Sequence, residues 1–510
     1  MSRITDAPSN LPQISRRLLF RTAATTVVGY SLTNGWISEA EADDSETSEA
    51  EAERLFRQLP RLQGTVTREA AGFITDFGRE ISAQPIAVLH PEGTEDIVAM
   101  SRFCTLHGIP MAMNGQSGET DKHESHSNYG QALTKGGLQI NARKLAEVRK
   151  LTEGTAVVGA GTTWAELVEA ALDTGQTVAT LPDYLNLSIG GTVSVGGVGG
   201  NVQRFGLCSD LVQEIEIVAP TGIVYRASRQ QNASLFKAAL GGAGQYGVIT
   251  EVTLNLVPAQ EMATIISLYY SSSADYLRDQ RTLLKVKDLQ HHTGEFIRVE
   301  DDTEWNFKID LGVYHPSGQP RDLEDILSEL SDDRDRRTTV TMPYHDWAFR
   351  VAPTMQSLSE SGHLEMKKPW ASFLIPGDRV QEFVDWVSPQ MSQQDLGAGL
   401  CLLSPLTLES IATEMFMVPS SSDGLAFFFD LLAFPDPDTP DVDGMFERNR
   451  RFYDKVTSLG GKRYIIGAIP GMTKSDWVNH YGSSRYSWLS VFKRIYDPRG
   501  VLTPGQRIFS

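Results

Sequence analysis

An aspartate among apolar neighbours, Leu181-Pro182-Asp183-Tyr184-Leu185, stands just before a glycine-dense run from Gly190 to Gly200. A carboxylate with the ordinary pKa of roughly 3.9 is a weak base near neutrality, and burial beside leucine and tyrosine would raise it. Asp183 is therefore a candidate general base, able to take a proton from a reacting N–H or O–H. An ordinary turn is the competing description, because proline presets its dihedral and aspartate bonds to nearby backbone. The glycines let backbone amides approach a flat, anionic ligand closely, or else they serve a sharp bend in a sheet. A second polar cluster reads Asn114-Gly115-Gln116, then the charged stretch Ser117 to Ser125, then His126-Ser127-Asn128-Tyr129-Gly130-Gln131. His123-Glu124-Ser125-His126 lacks the spacing of the zinc motif HExxH, which favours a solvated histidine pair over a metal site.

Elements must hold these residues in place. Pro85 to Leu89 reads as a strand, Thr94 to about His107 as a helix ended by Gly108-Ile109-Pro110, and Thr155 to Gly159 as a strand. Thr163 to Leu172 forms an amphipathic helix closed by Gly175, and Val212 to Ala219 pairs with Ile223-Val224-Tyr225 across Pro220-Thr221-Gly222. Strands and helices mix without regular alternation, which predicts an α+β fold rather than a doubly wound parallel sheet. Gly242-Ala243-Gly244-Gln245-Tyr246-Gly247 matches GxGxxG, but a strand from Val248 to Val257 follows where a dinucleotide fold needs a helix. Beyond Pro258 the chain becomes poorer in glycine. It carries Lys368-Pro369-Trp370-Ala371-Ser372-Phe373 and Leu425-Ala426-Phe427-Phe428-Phe429, expected to shape a mainly apolar pocket, although a ligand-free core has the same composition.

With 510 residues, 41% hydrophobic and 22% charged, the chain suits two domains. A net charge of −18 argues against nucleic acid and anionic membranes as partners. Cys104, Cys208 and Cys401 are too scattered for a metal site or a disulfide framework and are expected to be buried thiols. Ser15-Arg16-Arg17-Leu18-Leu19-Phe20 looks like a twin-arginine export signal. The stretch from Thr22 to Leu32 is too short and too polar to span a bilayer. Ala40-Glu41-Ala42 offers a cleavage site, so residues 1–42 are expected to be a signal peptide and 43–54 an acidic leader, giving a periplasmic or extracellular protein.

Together the segments resemble the FAD-linked oxidoreductases of the vanillyl-alcohol oxidase type, and most closely the cytokinin dehydrogenases. Gly108-Ile109-Pro110, Val157-Val158-Gly159-Ala160-Gly161, Gly190-Gly191-Thr192 and Gly241 to Gly247 fit the broad flavin superfamily. Narrower fits are Asp183-Tyr184-Leu185, Met342-Pro343-Tyr344, Lys368-Pro369-Trp370 and the ending from Tyr496-Asp497-Pro498 to Thr503-Pro504-Gly505-Gln506-Arg507-Ile508-Phe509. The resemblance implies a two-domain α+β fold with an FAD-binding domain built from residues 55–258 and 466–510. A substrate domain, 259–465, would be inserted before the C-terminal part. It implies FAD contacts at Gly115, Gln131, Ser188, Gly191, Ser194, Val198, Val248 and Gln506. In the family a histidine of Gly-x-Gly-His-Ser-x-x-Gly-Gln is bonded to the flavin. Here nine residues, Ser117 to Ser125, replace one glycine, so His126 with Ser127 is the candidate attachment site and His123 the second choice. The insertion is compatible with an outward loop, since added loop length has a modest entropic cost of about 0.6 kcal/mol per doubling, or with displacement of the histidine.

The chemistry implied is oxidation of a secondary amine, typically an N6-substituted adenine, to adenine and an aldehyde. Asp183 would be the base, hydride would pass to flavin N5, and Tyr184, Trp370 and Phe373 would form the substrate pocket, with no metal. Dioxygen or a quinone-like compound would then accept the electrons. Two alternatives stand beside this: a flavoprotein oxidase of a sugar, alditol or aldonolactone, and a purine-type ligand binder without catalysis.

Overall fold

The computed structural model describes residues 29–31, 35–37, 53–115, 129–299, 304–319 and 321–509. The twin-arginine motif, Ala40-Glu41-Ala42, the segment 117–125, His123, His126 and Ser127 lie outside the described residues.

Three principal sheets carry the architecture. The first has four strands in the order Thr65–Thr67, Ala87–His90, Leu138–Asn141, Met111–Asn114; its last three strands run parallel, with the helix Thr94–His107 crossing between two of them. Gly108 ends that helix in the left-handed conformation, φ 68°, where glycine carries no Cβ penalty. The second is a five-stranded antiparallel sheet, Val224–Ser228, Val212–Val218, Val248–Asn255, Thr155–Gly159, Val148–Thr152. Val248–Asn255 is thus a strand directly after Gly247, as expected for a chain that only mimics the dinucleotide fingerprint.

The helix Trp164–Leu172 is started by a reciprocal cap. Thr163 Oγ accepts from Glu166 N at 3.1 Å while Glu166 Oε2 accepts from Thr163 N at 2.8 Å, an arrangement worth about 1 kcal/mol. Its apolar face, Trp164, Leu167, Val168 and Ala171, is fully buried.

The third sheet has eight antiparallel strands in the order Thr338–Pro343, Met262–Tyr270, Trp305–His315, His291–Arg298, Leu400–Thr407, Leu425–Leu432, Ala371–Pro376, Lys462–Arg463. The period of two divides its side chains between two cores. Phe373, Phe427, Phe429 and Leu431 pack with Phe383 and Phe452 from the helices Val380–Val387 and Val442–Ser458, whereas Leu374, Ala426, Phe428 and Leu406 join the core of the five-stranded sheet. The aromatic segments are therefore largely core. The expectation that they shape an apolar pocket is corrected for Phe373, which is completely buried between strand and helices.

The chain end returns to the first sheet: Met111 N donates to Val501 O at 2.8 Å and Thr503 N to Met111 O at 2.8 Å. All three cysteines are buried free thiols, and burial pushes that of Cys104 up to about 12. No helix among the described residues is long and apolar enough to cross a membrane.

Candidate active site

Residues 181–188 are strapped across the start of the helix Trp164–Leu172. Leu185 O accepts from Ala165 N at 2.8 Å, Leu187 O accepts from Trp164 N at 3.1 Å, and Thr163 bridges to Ser188. Gly199 packs directly on this strap, so closely that a Cβ there would lie 1.9 Å from Leu181 O. The glycine is required by that approach, which fixes Asp183 against the glycine-rich wall.

Asp183 faces a narrow cleft lined also by Val178, Asn201, His291, Tyr314, Tyr344, Trp347 and Arg350. Its Oδ1 accepts from Arg350 Nη2. Arg350 lies over the Trp347 ring at 4.0 Å, and Trp347 Nε1 donates to Tyr314 OH at 2.9 Å. His291 meets Trp347 edge-on, with ring centres 5.0 Å apart, and fills the space beside Gly200. Burial, with Arg350 and His292 adding, holds His291 well below the ordinary histidine range, so it lines the cleft as a neutral ring.

The environment of Asp183 differs from the expected one. Its side chain is 37% exposed and ion-paired rather than secluded among apolar groups, because Tyr184 and Leu185 lie beside it in sequence while Arg350 faces it in space. Tyr184 is half-buried and is not among the residues lining the cleft. Trp370 also lies apart from the cleft, packed on Phe77 at 4.9 Å and on Phe434 at 5.6 Å, with Nε1 donating to Ala433 O at 3.1 Å. Neither Trp370 nor Phe373 forms a wall beside Asp183: Phe373 lies on the odd-numbered face of the strand Ala371–Pro376, turned toward the helices, and Trp370, just before that strand, packs with Phe77 and Phe434. Tyr314, Tyr344 and Trp347 provide the aromatic wall instead.

Two further groups hold buried polar atoms without partners. Asn114, at the end of its strand, is fully buried with neither amide atom hydrogen-bonded. A Cβ on Gly115 would lie 2.6 Å from Ser188 Oγ and one on Gly191 2.8 Å from the same atom, so these three residues make one narrow cradle. Gln506 Nε2 donates to Gln131 Oε1 at 3.1 Å and to Ile465 O at 2.8 Å, while Gln506 Oε1 and the Tyr129 hydroxyl are buried and unpaired. Buried polar atoms of this kind are expensive without a partner. A bound polar ligand would satisfy such atoms, and FAD, long and rich in polar groups, has the chemistry to do so.

Ser194 spends its hydroxyl on Gly190 O at 2.7 Å. Val198 is half-buried on the glycine wall, and Val248 is buried where its strand pairs with Val218.

Arg350, His291, Tyr314 and Trp347 had no signal in local sequence. They come from two strands, the helix Tyr344–Ala348 and the turn that follows it, all more than ninety positions after Asp183, and only the strand period, read together with the sheet order, brings His291 and Tyr314 to one face.

Residues 85–228 match the family model described as FAD binding domain, and residues 300–509 match that of cytokinin dehydrogenase 1, FAD and cytokinin binding. The chain is 32% identical over 435 residues to an uncharacterized oxidoreductase, ORF5 of the fasciation locus of Rhodococcoides fascians, covering 85% of this chain and 95% of that protein. It is 28% identical to cytokinin dehydrogenase 2 of Arabidopsis thaliana, covering 85% and 91% of the two chains. The fold is similar to the crystal structure of the VAO-type flavoprotein MtVAO615 from Myceliophthora thermophila C1, with a TM-score of 0.63 and 17% identity over 82% of this chain and 79% of that one.

Proposed function

The chain belongs to the cytokinin dehydrogenase family of FAD-dependent oxidoreductases, and from that membership we propose that it oxidises a cytokinin-type secondary amine, releasing adenine and an aldehyde. The observation that carries this reading is Asp183, held by Arg350 in an aromatic-walled cleft against the glycine wall.

Asn114, Ser188, Gln131 and Gln506, with the backbone at Gly115 and Gly191, would hold FAD, which would supply a hydride acceptor when bound. Arg350 occupies Oδ1 of Asp183 and leaves Oδ2 to accept the proton of the amine N–H. As the carbon beside nitrogen loses hydride and the nitrogen loses its proton, a C=N bond forms, and water then splits the imine. Tyr314, Tyr344 and Trp347 give the side chain of the substrate an apolar wall and limit water around the base. That wall favours the amine over a sugar, alditol or aldonolactone, whose hydroxyls call for many polar partners.

Residues 55–258 with 466–510 form the FAD-binding domain and 259–465 the substrate domain in this reading. The hydrogen bond from Thr503 N to Met111 O supports joining the two chain ends. Ser15-Arg16-Arg17 directs export to the periplasm or beyond, and dioxygen or a quinone-like compound takes the electrons. His126 is the residue proposed for a covalent flavin bond. Acid precipitation checks this directly: colour in the pellet is expected, and colour released wholly to the supernatant excludes the bond.

Incubation with isopentenyladenine or with xylitol, each beside a dye acceptor, tests the substrate class. Dye bleaching with isopentenyladenine alone, together with adenine as product, is expected; bleaching with xylitol alone rejects the amine. Arg350 acts as a positioning residue for Asp183. Arg350→Met should lower kcat about tenfold with an unchanged flavin spectrum, because misorienting a catalytic group is costly. Equal kcat would remove the ion pair from the machinery.

A further inference from the structure

Arg463 stands on the last strand of the eight-stranded sheet, opposite Phe373, and is only 3% exposed. Its Nη2 donates to Gly467 O at 2.9 Å and to Ile465 O at 3.4 Å, and its guanidinium lies over the Trp477 ring at 5.0 Å. Nε is buried and has no partner. Among the described residues no carboxylate pairs with this cation: Asp476, whose charge reaches it, is held by Arg450 at 3.0 and 3.2 Å. Burial raises the hydroxyls of Tyr129, Tyr453 and Tyr481, so they face it as neutral groups. Arg463 itself stays charged, since burial brings its guanidinium down only to about 10.

A buried charge without a counter-ion is costly, and an apolar side chain would fill the place with less desolvation unless an anionic group arrives. The segment that Arg463 opens runs to the residues proposed to hold the cofactor. Tyr464 OH accepts from Gly197 N at 3.2 Å on the glycine-rich wall. Ile465 O, the oxygen that Arg463 approaches, also accepts from Gln506 Nε2 at 2.8 Å. Gln506 donates to Gln131 Oε1 at 3.1 Å, and its own Oε1 is buried and unpaired. One backbone carbonyl therefore joins an unpaired cationic donor to the Gln131–Gln506 pair.

We propose that Arg463 is a redox-tuning residue, the buried cation that balances the negative charge FAD gains on reduction. The inference rests on the reading that Gln131 and Gln506 hold FAD.

A hydride brings two electrons and one proton to the neutral oxidised ring, which gains one negative charge unless a second proton follows. A cation buried with the cofactor favours that charged form, because little solvent screens the attraction. The cation also favours any other reaction that leaves negative charge on the ring. Sulfite provides one: its sulfur lone pair forms a bond to flavin N5 and one of its negative charges passes to the ring, with no electron donor needed.

The test is the midpoint potential of the purified holoenzyme, beside its affinity for sulfite. Arg463→Gln should disfavour the reduced form about a hundredfold, a fall of about 60 mV for two electrons, and should raise the sulfite Kd by a similar factor. Arg463→Lys keeps a positive charge and should return both values to within about fivefold of wild type. Arg463→Met, which keeps an apolar stem against Trp477, carries the same expectation if the glutamine variant does not fold. Unchanged potential and sulfite affinity in the uncharged variants, or an equal shift in Arg463→Lys, overturns the inference. Weaker FAD retention at an unchanged potential would assign the cation to the pyrophosphate and overturns it too. A Gln506→Leu enzyme that retains FAD as wild type does, beside a shifted potential in Arg463→Gln, would reject the placement of Gln506 and leave the role of Arg463. Neither readout uses the amine: a shifted potential without isopentenyladenine turnover sinks the proposed reaction alone, and normal turnover with an unmoved potential sinks this inference alone.

Discussion

Asp183→Asn should lower turnover by about 10²- to 10⁴-fold, the range typical of losing a positioned general base. The amide has nearly the shape of the carboxylate but cannot take the amine proton. The folded protein should tolerate the change, because the Asp183–Arg350 pair is partly open to solvent and such pairs contribute little to stability. The flavin spectrum should also persist, since Asp183 is not among the residues proposed to hold FAD. The combination of intact colour and lost turnover separates a base from a structural anchor. Turnover within twofold of wild type would take Asp183 out of the reaction.

Gly199→Ala should be nearly as damaging, for a different physical reason. The added Cβ would meet Leu181 O at 1.9 Å, and a strapped backbone carbonyl cannot step aside as a flexible side chain can. Relief requires the strap carrying Asp183 to separate from the glycine wall. Overpacking of this kind destabilises by about 1–3 kcal/mol, and a shift of about 1 Å at a reacting group is enough for a hundredfold loss of rate. Gly93→Ala is the control: its φ of −174° is extended backbone and nothing lies within 4 Å of the new atom. The urea midpoint and kcat should both fall for Gly199→Ala and neither should move for Gly93→Ala. A Gly199→Ala enzyme with wild-type values of both would show that the contact at Leu181 is not what sets Asp183 in place.

Much of the frame is legible in the sequence. The helix Trp164–Leu172 is announced by its amphipathic pattern and by Gly175, the hairpin by Pro220-Thr221-Gly222, and the misleading GxGxxG is unmasked by the alternation after Gly247. Gly115, Ser188 and Gly191 lie against one another, and Gln131 meets Gln506, in two separate local contacts. The substrate wall was not legible. Trp370 and Phe373 looked like pocket residues because aromatic clusters in a core and in a pocket have the same composition, and only sheet order tells which face a strand residue takes. Arg350 was invisible for the same reason: one arginine in the Phe349-Arg350-Val351 stretch bears no mark of the carboxylate it meets, 167 positions away.

The most direct trial of the proposed amine chemistry is anaerobic mixing of the purified holoenzyme with N6-isopentenyladenine, followed through the visible flavin band. Bleaching of that band in a single turnover, with one equivalent each of adenine and aldehyde, is the predicted result. A band that stays oxidised with the amine, yet bleaches when xylitol is supplied instead, would contradict it.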